Sequence, residues 1–391
     1  MRKSMQNLQT EKNGPLAIAM WDFSWIERRW PGAGFEEPGK ALSELEERGY
    51  DAVRIDAFPH LFAAGAEKEW VLLPVWSAHD WGSPYKNRIR LLPAFSEFLL
   101  ECRKRKIKVA LSSWYREDEE QVRMRITSPE KMAENWCAVL RWLDREGLLD
   151  TVLYVDLCNE WPGDFWAPYF KNEPPWMTWS AWHTKRSMEY MRCAIEILRR
   201  EFPAVPFCFS FDGGDVSHYH DRDLSFFDLA EHHIWMARLN DGEYEEEVGK
   251  AQNPRFSESY YHLMSDRAFD VYQNRRDYWK SLLVRGIRQL AEAGRAAGLP
   301  LATTECWGIV DYKDYPLLYW EWLKELNVLG VETAAACGQW AVMATSNFAS
   351  PQFAGMWRDA AWHRRLTDKI HKAALPESLE KSPLVHTMRR R

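Results

Sequence analysis

Residues 151–161 read TVLYVDLCNEW, a run of strand-forming residues that ends in Asn159 and Glu160 beside Trp161. Residues 299–308, LPLATTECWG, follow the same plan, with Glu305 at the end of the run and Trp307 just beyond it. An ionised carboxylate at the end of a buried strand costs free energy unless it is partnered. Such a position is therefore not a stability device, and two of them in one chain ask for a fold that gathers strand ends.

The flanking sequence supplies that fold. Strand-like runs fall at 15–21 (PLAIAMW), 51–58 (DAVRIDAF), 107–115 (IKVALSSWY), 151–161, 205–211 (VPFCFSF), 226–235 (FFDLAEHHIW), 299–306 and 331–340 (VETAAACGQW). Helical runs alternate with them near 38–49, 91–105, 129–146, 180–201, 276–297, 315–327 and 358–373. Pro38 and Gly49 bracket the first of these, and Ser128, Pro129 and Gly147 mark the start and stop of the helix at 129–146. The stretch 212–225 is too short and polar for a crossover helix and reads as a loop or single turn. Eight alternating units predict an α/β protein, a (β/α)8 TIM barrel over 15–373, with flexible tails at 1–14 and 374–391. Three long insertions, 57–90, 161–179 and 236–275, follow strands, so the barrel would carry them on its catalytic face.

Composition narrows the function classes. The chain has 391 residues, 46% of them hydrophobic and 28% charged, as expected of a globular protein with a sizeable core. A net charge of −6 gives no reason to expect nucleic acid or an anionic membrane as partner. No apolar stretch approaches the roughly 20 residues of a membrane span, and the basic start MRKSMQNLQTEKNG has no apolar core behind it. Seven cysteines, most in apolar runs, read as reduced thiols in a cytoplasmic protein. The outlier is 22 tryptophans, many in segments rich in Pro, Gly and charge. Flat indole faces in loops suit the C–H faces of sugar rings, although packing between loops accounts for most single cases.

Alternation along the strands sets the candidate site. Tyr154, Asp156, Cys158 and Glu160 share one face, Leu301, Thr303 and Glu305 another, with Arg54 and Asp56 on the second strand and Glu231, His233 and Trp235 on the sixth. Of the adjacent His232 and His233, His233 is expected to face inward. Barrel closure would bring Glu160 and Glu305 together as the paired carboxylates that glycoside hydrolysis uses. His218 and His220 have metal-ligand spacing, but on an irregular loop they do not make a site, so neither metal nor cofactor is expected.

Asn159-Glu160 on strand four and Glu305 on strand seven, with Arg54, His233 and Trp340, resemble clan A of the glycoside hydrolases, in particular the cellulase-like barrels of family five. The resemblance spans about 15–372. It implies retaining hydrolysis of a β-linked sugar, with Glu160 as general acid and base and Glu305 as nucleophile. It also implies that Arg54 keeps Glu305 charged, that Asn159 meets the sugar 2-hydroxyl, and that Trp340 floors the sugar subsite. Trp21, Asp22, Trp161, Trp235 and Trp307 complete the expected sugar-binding set. Two departures stand out. The clan's His-x-Tyr on strand six is here His233-Ile234-Trp235, leaving Tyr260 or Tyr261 to supply the hydroxyl, and Trp161 intervenes between Glu160 and Pro162. The expected partner is an imported oligosaccharide or glycoside attacked from its end. A sugar-binding barrel without catalysis and a metal-dependent barrel hydrolase are the competing readings, and oligomeric state, a homo-oligomer included, is left open.

Overall fold

The computed structural model describes residues 14–77, 81–163, 165–167, 181–213, 215–253, 256–312 and 318–390. Eight parallel strand positions close a barrel: β1 (Leu16–Asp22), β2 (Ala52–Asp56), β3 (Lys108–Ser112), β4 (Val152–Asp156), β5 (Phe207–Cys208 and Ser210–Asp212), β6 (Ala230–Trp235), β7 (Leu301–Thr303, continued by Cys306–Trp307) and β8 (Trp340–Ala344). Each pairs with the next, and β8 returns to β1 with Leu16 opposite Val342. The molecule is thus a (β/α)8 TIM barrel, and its strands are buried on both faces, as parallel strands under helices must be.

The helices form where caps and periodicity coincide. In Pro129–Arg145 the Ser128 hydroxyl accepts from the Lys131 amide, Pro129 opens the helix, and Met132, Trp136, Val139, Leu140 and Leu143 bury one face. Among its described residues the segment 212–225 holds, beyond the strand end at Asp212, only a single 3-10 turn, Ser217–Tyr219.

Two expectations are corrected. Residues 331–337 are not strand but the end of a helix, Glu321–Cys337, which buries Leu323, Leu326, Gly330, Val331 and Ala334 at helical spacing. The run Ala334–Ala336 favours helix, and Gly338, with φ +70°, ends it in the left-handed conformation that glycine adopts freely. The eighth strand therefore begins at Trp340 rather than ending there. Residues 374–390 are not a free tail either. Ser382 caps the helix Pro383–Arg389, which buries Leu384 and Val385; the basic residues around this short apolar pair hid it. Residues 1–13 of the expected tail at 1–14 and most of the insertion 161–179 lie outside the described residues. Among the described residues, no helix is long and apolar enough to cross a membrane.

Candidate active site

Arg54 organises the barrel's interior at the C-terminal ends of the strands. It is fully buried. Its Nη2 donates to Asp156 at 2.5 Å and to Asn159 Oδ1 at 2.8 Å, and its Nη1 to Thr304 at 3.1 Å and to Glu305 at 3.3 Å. The guanidinium lies 4.6 Å from the Trp114 ring. Burial alone would lower its pKa, but Asp156, Glu231 and Glu305 outweigh that and hold it protonated. Glu231 is the second anchor: it accepts from the Tyr154 hydroxyl at 2.7 Å and from the Thr304 amide at 2.9 Å. Thr304 rather than Thr303 joins this network; the Thr303 hydroxyl turns to the His232 carbonyl, so the inward alternation slips by one before Glu305.

His233 turns inward and links the acids. Its Nδ1 stands 3.1 Å from Glu160 Oε1 and 3.8 Å from Glu305 Oε1, and its Nε2 3.5 Å from Glu231. Burial would depress this imidazole, but Glu305, Glu160 and Glu231 lift its pKa to about 10. His232 faces the other way, toward the Tyr219 hydroxyl and the Gly213 carbonyl.

Glu160 follows the strand in the left-handed region at φ +49°, and this turn points both Asn159 and Glu160 into the pocket. Glu305 faces them. Burial and the nearby Glu160 carboxylate push the Glu305 pKa up to about 7, against the pull of His233 and Arg54. Glu160 is also penalised by burial, yet the His233 hydrogen bond and charge bring it below the usual carboxylate range. This order reverses the one expected for a raised acid at Glu160 and a nucleophile kept charged by Arg54. Arg54 is committed chiefly to Asp156, and His233 sides with Glu160.

The pocket above is lined by Met20 and Asp22 from β1, Trp114 after β3, Asn159, Glu160, Glu305, and residues of the insertions, including Trp76, Trp81, Trp166, Arg238 and Phe256, together with Asp311. Arg238 carries no signal in the sequence. It sits in the 3-10 turn after β6, ion-paired with Asp212 and 4.4 Å over the Trp235 ring, and no motif marks it. Trp114 was accessible to the rule that singled out Trp161, an aromatic just past a strand end. Asp311, buried among acids and Arg238, has its pKa raised to about 6.

None of the five expected sugar-contacting tryptophans lines this pocket. Trp21 packs on Phe35 and Phe98. Trp161 donates to Ser187 and packs on Tyr190. Trp307 lies against the helix at Gly330, where a Cβ would fall 2.4 Å from the indole. Trp340, at the first position of β8, is buried, donates to Thr303 and meets Trp307 edge-on. Trp235 lies behind Arg238, and its Nε1 has no hydrogen-bond partner among the described residues. The Tyr261 hydroxyl meets Asp311 rather than Glu305.

One oxygen or nitrogen from each of Glu160, His233 and Glu305 falls within 4.8 Å of the others, a grouping with metal-ligand chemistry. The charges argue otherwise. A cation would have to displace the His233 proton and sit beside Arg54.

A family model described as sugar-binding cellulase-like matches residues 18–371. The chain belongs to that family. A crystal structure titled "putative glycoside hydrolase" from Parabacteroides distasonis is similar over 96% of this chain and 99% of its own, with 50% identity and a TM-score of 0.93. The endo-β-1,4-glucanase B of Bacillus halodurans is similar over 95% of this chain and 62% of its own, at 9% identity and a TM-score of 0.52. The latter likeness is one of fold. No curated protein matches the chain.

Proposed function

We propose that this cellulase-like barrel hydrolyses a β-linked glycoside with retention of configuration. The observation that carries this reading is the buried glutamate pair, with an oxygen of each within 4.8 Å across the pocket floor. Retaining enzymes hold their carboxyl groups about 5–5.5 Å apart, whereas inverting ones leave about 6.5–9.5 Å for a water. Family resemblance assigns the roles. Glu305 attacks the anomeric carbon and forms a glycosyl ester while Glu160 gives its proton to the departing oxygen. Glu160 then takes a proton from water, whose oxygen displaces Glu305.

Burial and Glu160 raise the pKa of Glu305 while His233 lowers that of Glu160, so the acid role requires a proton to reach Glu160. His233, within reach of both acids, is placed to give its proton to Glu160 and take the one from Glu305 when sugar binds. Because Asn159 Oδ1 accepts from Arg54, the Asn159 amide group is turned to donate to a sugar hydroxyl. Walls from three insertions favour a chain end or a small glycoside over a continuous polymer.

The test is chromophore release from a panel of aryl β- and α-glycosides, with and without chelator, by wild type, Glu160→Ala and Glu305→Ala. Retaining hydrolysis predicts turnover of one β-glycoside that survives chelator, with losses of about 10²-fold or more in each variant. Azide should rescue Glu160→Ala to a β-glycosyl azide and Glu305→Ala to an α-glycosyl azide; the converse would exchange the two roles. Tight sugar binding by wild type with no cleavage would establish instead a binding barrel, the reading favoured by Trp235 where the clan carries tyrosine.

A further inference from the structure

Three insertions meet over the pocket in one aromatic junction. Trp76 comes from the first, Phe165 and Trp166 from the second, Phe256 from the third. Phe256 stacks on Trp76 with ring centroids 4.9 Å apart and planes at 17°, and Phe165 stacks on it at 5.5 Å and 22°. Trp166 meets Trp76 edge-on at 5.1 Å. Trp76, Trp166 and Phe256 line the pocket, whereas Phe165 is 40% exposed and marks the outer side.

Two features make this more than loop packing. Trp76 and Phe256 both hold left-handed backbone, φ +46° and +64°, which a bulky residue adopts at a cost. Two strained residues have their rings laid flat on each other above a glycosidase-like floor. The Trp76 Nε1 is also buried without a hydrogen-bond partner among the described residues, and a sugar hydroxyl entering the junction would supply the missing acceptor.

We propose that Trp76 is the platform for the leaving group, and that Phe256 occupies the place of the leaving group's ring until substrate displaces it. The glycone is held at the floor by strand-borne residues, so the group beyond the scissile bond rises toward the insertions. A ring with a flat apolar face, a pyranose or an aryl group, stacks on an indole at the same spacing that the Phe256 ring now takes. The site then prefers glycosides whose leaving group carries such a ring over those with a small alkyl group. This rests on the function proposed above, and the test separates the two.

The experiment compares 4-nitrophenyl and methyl β-glycosides of the same sugar, by kcat/KM and by calorimetric binding to the full chain. Trp76→Ala should lower the aryl-to-methyl ratio about tenfold, mostly through KM, and Trp76→Phe should restore part of it. Phe256→Ala should raise aryl affinity, because the closed, self-stacked state no longer competes for Trp76. An unchanged ratio in Trp76→Ala, or a loss in Phe256→Ala as large as in Trp76→Ala, would overturn the platform while leaving hydrolysis intact. Aryl binding that is lost in Trp76→Ala without any turnover would keep the platform and remove hydrolysis. No binding of either glycoside by wild type would remove both.

Discussion

At the floor of the pocket Arg54, Asp156, Glu231, His233, Glu160 and Glu305 all come from barrel strands or their ends, and they hold one another by charge and hydrogen bonds. At the roof Trp76, Trp166 and Phe256 come from separate insertions and meet through their rings. The floor has several acceptors around each donor, so no member can move without stranding another. The roof has ring contacts worth about 0.5–1.5 kcal/mol each. Such a pairing suits a site that must keep its chemistry fixed while letting substrate through.

The largest effect should come from breaking the floor at its centre. Arg54→Leu leaves Asp156 buried without its cation, and removal of one partner of a buried ion pair destabilises by about 3–5 kcal/mol. Denaturant unfolding measures this directly. Arg54→Lys should fare little better, because an ammonium cannot reach Asp156, Asn159, Thr304 and Glu305 together. If either variant stays within about 1 kcal/mol of wild type, a spread comparable to ordinary surface substitutions, the floor is not held as described.

The same contrast explains what could be read from the sequence. Floor residues sit at fixed register in strands, so alternation alone brought Arg54, Asp156, Glu231 and His233 to one interior and placed Glu160 and Glu305 at its rim. Asn159 and Thr304 escape simple alternation because the backbone turns left-handed at Glu160 and slips before Glu305. Trp340 was misplaced for a local reason: Val331 and Thr333 suggest strand, but Ala334–Ala336 extend the helix up to Gly338. Roof residues follow no period. Nothing near Trp76 names Phe256 as its partner, and the abundance of tryptophan pointed to Trp161 and Trp307, which pack inside the fold.

A second, intermediate effect is pH. His233 is lifted from 6.5 to about 10, so its contribution to stability is fully present below about pH 6.5 and is lost as pH rises toward 10. Glu305, lifted from 4.5 to about 7, acts in the same direction over pH 4.5–7, its proton being held more tightly in the folded state. Glu231 runs the other way: its pKa is lowered to about 2, and its stabilisation is lost as pH falls from 4.5 toward 2. Thermal unfolding should therefore show stability declining above neutrality, at up to about 1.4 kcal/mol per pH unit for one proton. His233→Gln should flatten that decline between pH 7 and 10. Trp76→Ala and Phe256→Ala should keep it, since neither ring titrates; a roof variant that flattened the slope would show that the two regions are coupled.

The smallest effect should be that of Phe165→Ala, at the outer edge of the roof. Its ring is 40% exposed and lies outside the pocket lining, so truncation removes one stack on Trp76 and little buried area. Stability should fall by about 1 kcal/mol or less, the scale of a single aromatic pair. The informative signal is elsewhere. With one of its two stacking partners gone, Trp76 should be freer to leave Phe256, and acrylamide should quench tryptophan emission more readily than in wild type. Phe256→Ala should increase quenching further, because it removes the inner partner as well as the wall beside the pocket. Equal quenching in wild type and both variants would mean that Trp76 is fixed by something other than these rings, and the roof would then be as rigid as the floor.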